Sequence, residues 1–349
     1  MSRMCQLAAY IGDKSITKLL LEALKNQEPL YGAHATGMGV IAGSEIEIVK
    51  GAGPVDYVKE QKPEILDLKG TCAIAHSRYS SNARENPDYN LDEMAHPYIS
   101  DDGKIALMHN GVIINYKELW KKQEADHTFR SYGEKVDDIT DSEVAVHMLS
   151  DAYNDGMTMT EAFQHITPKL KGTFLLAAIN TDEPDSVYVA NWYQPCYVAL
   201  GKGEAMFVSS RRGLKGITDK LDRVFQPPKN SVTKLSRKGA EITIMDEGRK
   251  VPWVRMNQFE ARIKIIDSLK DSPKDVRNLF YSLHPEGWAE VYGLSIEEWK
   301  EHWKSGVYIM NPYFELLEDL VLDGQISERI DLRMEGGIED VPRFSYSLT

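Results

Sequence analysis

Short stretches rich in apolar residues, continuous in most and alternating with glutamate at 45–49, recur at residues 5–11, 37–42, 45–49, 71–76, 105–109, 173–180, 187–191, 196–200 and 205–209. Runs of this length predict β-strands. Between the first two the period changes: Ile16, Leu19, Leu20, Ala23 and Leu24 recur at three- and four-residue spacing, which predicts a helix from Ser15 to about Asn26. Two further helices are expected after Asn110-Gly111. One starts at Thr140, which pairs with Glu143 as a capping box; the other follows Thr158 and Glu161 and carries Ala162, Phe163, Ile166 and Leu170 on one face. The run 241–245, followed by Asp246-Glu247-Gly248, reads as a closing strand and turn, and Gln226-Pro227-Pro228-Lys229-Asn230 as a turn-like loop. After Pro252 the texture becomes helical, with Phe259, Ile263, Ile266 and Leu269 in phase, a capping box at Ser295 and Glu298, and Phe314, Leu317, Leu320 and Val321 marking a last helix. The chain is therefore divided into a domain over 5–250 and a helical extension over 251–349. Strand runs separated by helix pairs, with no alternating βαβ units and no Gly-rich phosphate loop, fit antiparallel sheets covered by helices, an α+β fold.

Composition narrows the possible functions. Hydrophobic residues make up 42% of the 349-residue chain and charged residues 27%, and no apolar stretch approaches a membrane span. The formal charge of −12 argues against nucleic acid as the main partner, because phosphate binding needs a basic surface. Three cysteines, Cys5, Cys72 and Cys196, have no metal-like spacing and cannot all pair. With no signal peptide in view, a reducing cytoplasm is expected, and no metal or cofactor is called for. Cys72 and Cys196 lie in strand-like contexts and are read as small buried hydrophobes.

Cys5 differs. If Met1-Ser2-Arg3-Met4 were removed, its thiol would share a residue with a free α-amine, a nucleophile together with a base. Three later segments bear on this: Gly70-Thr71-Cys72-Ala73-Ile74-Ala75-His76-Ser77-Arg78-Tyr79, a strand ending in His and Arg; Ile105-Ala106-Leu107-Met108-His109-Asn110-Gly111, a strand ending in Asn-Gly; and Thr140-Asp141-Ser142-Glu143, opening a helix. In this order and spacing they resemble the glutaminase domain of class II, N-terminal-nucleophile glutamine amidotransferases, over about residues 5–250. The resemblance implies a four-layer αββα sandwich of two antiparallel sheets. It also implies Cys5 as nucleophile, Asn110 and Gly111 as the oxyanion hole, Arg78 holding the glutamine α-carboxylate and Asp141 its α-ammonium. Ser80, Ser81 and Asn82 fall where the family has its glutamine-covering loop, and Ser81 is taken as a substrate contact. His76 and His96 are read as structural. Each residue has a plainer reading: Asn-Gly as a hairpin turn, Arg78 as a solvated strand end, Asp141 as a helix-dipole partner.

Some features depart from the family. Tyr31-Gly32-Ala33-His34-Ala35-Thr36-Gly37 lacks the arginine usual there, Gln6 stands where glycine usually follows the nucleophile, and the segment between Arg78 and His96 is longer. Removal of Met1–Met4 is expected either by propeptide cleavage or because Met4 is the true start. The expected activity is glutamine hydrolysis with ammonia passed to a separate synthase subunit. An amidase for another amide, or a non-catalytic glutamine-binding module with Cys5 blocked, is the alternative. The aromatics Trp288, Trp299, Trp303, Tyr308, Tyr313 and Phe314 are expected to form the extension's own core or to pack on the first domain, with a docking face as the alternative.

Overall fold

The computed structural model describes residues 4–131, 136, 138–217, 221–251, 254–305 and 311–349; Met1–Arg3, Pro252 and Tyr308 lie outside them. Two antiparallel sheets dominate the first part of the chain. The seven-stranded sheet consists of β1 (Gln6–Ile11), β2 (Ala35–Ala42), β3 (Glu45–Ala52), β4 (Cys72–Arg78), β9 (Tyr197–Gly201), β10 (Glu204–Val208) and β11 (Leu221–Phe225), ordered β11-β9-β10-β1-β4-β2-β3. The six-stranded sheet consists of β5 (Tyr98–Ile99), β6 (Ile105–Ile113), β7 (Gly172–Asn180), β8 (Val187–Trp192), β12 (Ser231–Ser236) and β13 (Gly239–Ile244), ordered β13-β12-β8-β7-β6-β5.

The alternation of side chains along a strand explains why both sheets are buried on two faces. In β1, Leu7, Ala9 and Ile11 join Ile74, Met108, Leu175, Ala177 and Val189 in the core between the sheets. Ala8 and Tyr10 point the other way, into a second core with Leu20, Ala23, Leu24 and Val58 from helices α1 (Ile16–Gln27) and α2 (Val55–Gln61). Near-continuous apolar runs are what strands covered on both faces require. On the far side, α5 (Asp141–Asn154) packs on β6 and α6 (Met159–Ile166) on β8 and β12, completing an αββα sandwich. Short helices α3 (Ser81–Glu85) and α4 (Tyr116–Trp120) lie in the connections.

Most strands extend the runs read from sequence by a residue or two, but β5, β11 and β12 went unread; Asp222 and Arg223 interrupt β11, and Thr233 and Lys234 interrupt β12. The Thr158–Glu161 capping box is complete. The one at Thr140 is only half formed: Thr140 caps the Glu143 N–H, while the Glu143 carboxylate accepts from Arg130 N at 2.6 Å and Ser131 N at 2.9 Å.

The chain forms two compact units. One runs to Lys250 and also takes in Met334–Val341; the other comprises Val251–Arg333 and Pro342–Thr349. The second unit contains helices α7 (Gln258–Leu269), α8 (Val276–Ser282), α9 (Glu286–Val291), α10 (Ile296–Ser305) and α11 (Asn311–Leu322). Trp288 and Trp299 are each 1% exposed; Trp288 Nε1 donates to Phe280 O at 2.8 Å, and its ring stacks on Phe280 at 5.0 Å. With Tyr313 and Phe314 also buried, these four residues are core, whereas Trp303 is only partly buried. A purely helical extension does not account for the rest. The chain closes with β15 (Ile326–Glu335) and β16 (Ile338–Leu348), which join β14 (Lys274–Asp275) in a three-stranded sheet ordered β14-β16-β15. Exposed positions alternate along β15, and the charged residues Glu328, Arg329, Asp331 and Arg333 hide it from a search for apolar runs.

Candidate active site

Strand β1 is central in its sheet, and Cys5 immediately precedes it. Antiparallel pairing of Gln6 with Ser77 brings the end of β4 alongside, so that Arg78 and Tyr79 adjoin Cys5. The facing strand β6 supplies Asn110, whose Oδ1 accepts from Cys5 N at 2.8 Å. Its Nδ2 is buried and has no hydrogen-bond partner among the described residues. Tyr79 N donates to Cys5 Sγ at 3.4 Å. Asn110 and Gly111 lie inside β6, paired with Leu175 and Phe174, which rules out the hairpin-turn reading. Gly111 has φ +130°, and a Cβ there would collide with the Thr173 carbonyl oxygen, so no other residue fits.

A cleft of about 570 Å³, including space open to solvent, is lined by Cys5, Arg78, Gly111 and Asp141, with Ser80 and Asn82 at its edge. Ser81 is not among its lining residues. Arg78 is 7% exposed and donates to Tyr89 O at 3.2 Å, so it is not a solvated strand end. Asp141, the first residue of α5, does more than face the helix dipole: its Oδ2 accepts from Ile113 N at 2.9 Å, tying it to the strand that carries Asn110. The cleft therefore presents one buried guanidinium, with the carboxylates of Asp141 and Asp138 elsewhere on its lining.

Beneath the cleft lies a group of buried histidines. His76 Nε2 donates to His109 O at 3.0 Å, and the His76 and His96 rings stack at 4.0 Å. Ser142 Oγ lies 2.7 Å from His96 Nε2, 3.1 Å from His109 Nδ1 and 3.3 Å from Asp141 Oδ1. Burial pushes His76 down to about 3 and His96 well below the ordinary histidine value, so both are neutral near pH 7.

A family model described as a glutamine amidotransferase domain matches residues 84–215. The chain is 34% identical over 208 residues to the glutamine–fructose-6-phosphate aminotransferase (isomerizing) of Thermococcus kodakarensis, covering 59% of this chain and 32% of that protein. Its counterpart in Thermus thermophilus is 31% identical over 249 residues, covering 71% and 38%. The chain carries a class II glutamine amidotransferase domain. It spans less than half the length of these relatives. Among solved structures, glutamine phosphoribosylpyrophosphate amidotransferase from B. subtilis shares the fold, with a TM-score of 0.59 at 15% identity over 83% of this chain and 64% of that one.

The amidotransferase domain also contains a contact that sequence reading missed. His34 stands in the segment where the usual arginine is absent. Its Nδ1 accepts from Ser80 N at 3.2 Å, and its ring stacks on Tyr79 at 5.0 Å. With Nδ1 accepting, the proton is on Nε2, which lies 3.2 Å from Glu335 Oε2. Glu335 begins the β15–β16 turn. There Gly336 O accepts from Asn90 Nδ2, and Gly336, at φ +56°, leaves no room for a Cβ against Ala83 O. A residue more than 300 positions away thus holds the segment that flanks the thiol, and no local pattern announces it.

Glu335→Ala removes the partner of His34, a charge-assisted bond worth about 1.5–3 kcal/mol. Amide exchange across residues 79–90, followed by mass spectrometry, should quicken by roughly tenfold or more, while Glu335→Gln, which keeps a carbonyl acceptor, should stay close to wild type. A second expectation concerns pH. A histidine whose folded pKa is depressed contributes stability that is fully present above about 6.5 and is lost as pH falls toward about 3, because the unfolded chain takes up the proton first. His76→Gln, which preserves the donor to His109 O, should show a shallower fall in thermal midpoint across that window.

Proposed function

We propose that the cleft hydrolyses the side-chain amide of glutamine, with Cys5 as nucleophile and its own α-amine as base. The observation that carries this reading is the Cys5–Asn110 contact: the Asn110 oxygen holds the Cys5 nitrogen, which leaves the buried Asn110 Nδ2 in need of an acceptor. A tetrahedral oxyanion beside Cys5 would supply that acceptor.

In this reading, removal of the residues before Cys5 turns its nitrogen into an amine that takes the thiol proton. The N–H of Tyr79 favours the resulting thiolate, since a donor to the charged form stabilises it. Sulfur attacks the amide carbon, and the oxyanion settles on Asn110 Nδ2 and the Gly111 N–H. The amine then gives its proton to the departing ammonia. Water, activated by the same amine, hydrolyses the γ-glutamyl thioester to glutamate and restores the thiol. Arg78 would fork the substrate α-carboxylate and Asp141 hold its α-ammonium. Ammonia would pass to a separate synthase subunit. A reducing cytoplasm, which keeps Cys5 as a thiol, belongs to the same reading.

N-terminal sequencing of active protein should find Cys5 first, and Cys5→Ala should abolish glutamate release without unfolding the domain. Active protein that retains Met4 would show that the base is some other group. Protein that retains Met4, binds glutamine and has no activity would be a binding module. Faster turnover of simple amides than of glutamine would point to a different amidase.

Steady-state kinetics separate the remaining roles. Arg78→Ala and Asp141→Asn remove anchors used equally in ground and transition states, so KM should rise with kcat little changed. Asn110→Ala should instead lower kcat by about 10²–10³ with little effect on KM. A common KM effect in all three variants would overturn this division, and co-purification from the native host tests the synthase partner.

A further inference from the structure

We propose that Asp101, His127 and His147 form a site for one divalent transition-metal ion, with zinc the cation their donors suit best. None of the three lines the cleft. Asp101 follows β5, His127 lies beyond α4, and His147 is inside α5, so the site would join three elements that are far apart in sequence.

The geometry converges on one carboxylate oxygen. His127 Nδ1 lies 3.0 Å from Asp101 Oδ2 and His147 Nδ1 lies 3.8 Å from the same atom, with one donor atom from each residue all within 4.8 Å of one another. His147 is 0% exposed, and among the described residues neither of its ring nitrogens has a hydrogen-bond partner. A buried imidazole left this way carries an unsatisfied lone pair, which a cation beside Asp101 would satisfy. On its other side, His127 Nε2 lies 3.1 Å from Asp151 Oδ1. If that carboxylate takes the Nε2 proton in a hydrogen bond, the Nδ1 lone pair faces Asp101, as in carboxylate–histidine–metal arrangements.

Two imidazole nitrogens and a carboxylate oxygen are borderline donors that suit zinc, and solvent at the partly exposed Asp101 would complete four-coordination. The competing account is His127 hydrogen-bonded between Asp101 and Asp151 with no metal, the His147 ring merely packing on His127 at 4.4 Å and Phe129 at 4.9 Å, which leaves the His147 nitrogens unsatisfied among the described residues. Bound metal would pin residues 127–131 to α5. That helix begins with Asp141 six residues before His147, about 9 Å along its axis at 1.5 Å per residue. The site would therefore be structural, steadying the end of the helix that reaches the cleft.

The test is zinc titration of chelator-treated full-length protein by calorimetry, run in a Cys5→Ala background so that the N-terminal thiol cannot bind metal. One equivalent should bind with a Kd of about one micromolar or tighter. Asp101→Asn and His147→Gln should each weaken binding by about 100-fold or more, and Asp151→Asn by roughly tenfold. Zinc should raise the thermal midpoint of the Cys5→Ala protein and leave that of Asp101→Asn in the same background unmoved. Asp101 is partly exposed, so that variant keeps the test decisive even if His147→Gln folds poorly. No binding at one equivalent, or binding that Asp101→Asn leaves unchanged, would overturn the proposal in favour of a metal-free His127 bridge between Asp101 and Asp151.

Discussion

The hydrogen bond from Cys5 N to Asn110 Oδ1 is the contact on which the geometry of the cleft depends, and it exists only because two sheets face each other in one register. Cys5 precedes the central strand of one sheet, and Asn110 lies within a strand of the other. A one-residue slip in either strand would turn the relevant side chain to the opposite face. The core between the sheets prevents this, because Leu7, Ala9 and Ile11 on β1 and Ala106 and Met108 on β6 can be buried there in only one phase. Packing that stabilises the fold thus also sets the position of Cys5, and Gly111 adds a backbone conformation that a side chain would not allow.

The charges at the cleft belong to residues of its lining, Arg78, Asp138 and Asp141. His76 and His96 are buried and neutral, and His96 is linked to Asp141 through the Ser142 hydroxyl. Charging either of them would place a second cation near Arg78 in a poorly solvated region. Neutral stacking of His76 on His96 lets the ends of β4 and α5 approach closely while polar contacts persist. The remaining restraint comes from the far end of the chain, where Glu335 and Gly336 fix His34 and the 83–90 segment.

Much of the architecture could be read from residue patterns. The strands buried on both faces appear as uninterrupted apolar runs, and the helices α1 and α6 as three- and four-residue periodicity with a cap. Elements with mixed polarity did not show. Strands β11, β12 and β15 carry charged residues within them, since one face or an edge of each is wet. The same difficulty explains the helical reading of the last hundred residues: aromatic positions in α8 to α11 dominate the pattern, while the strands that follow are punctuated by charge.

For the cleft itself, the resemblance in motif order and spacing named Cys5, Arg78, Asn110, Gly111 and Asp141 as candidates, and the fold brings Cys5, Arg78, Gly111 and Asp141 to one cleft with Asn110 hydrogen-bonded to Cys5. Which neighbour touches each of them was decided only by tertiary structure. The Cys5 nitrogen meets Asn110, Ile113 N meets Asp141, and Glu335 reaches His34 across three hundred residues. Ser81 shows the limit most plainly: it was selected as a small polar residue in a loop, yet α3 places Ser80 and Asn82 on the cleft lining and leaves Ser81 off it. Local sequence determines periodicity and chemical type, whereas direction and long-range contact follow from how the sheets and helices bury their apolar faces against one another.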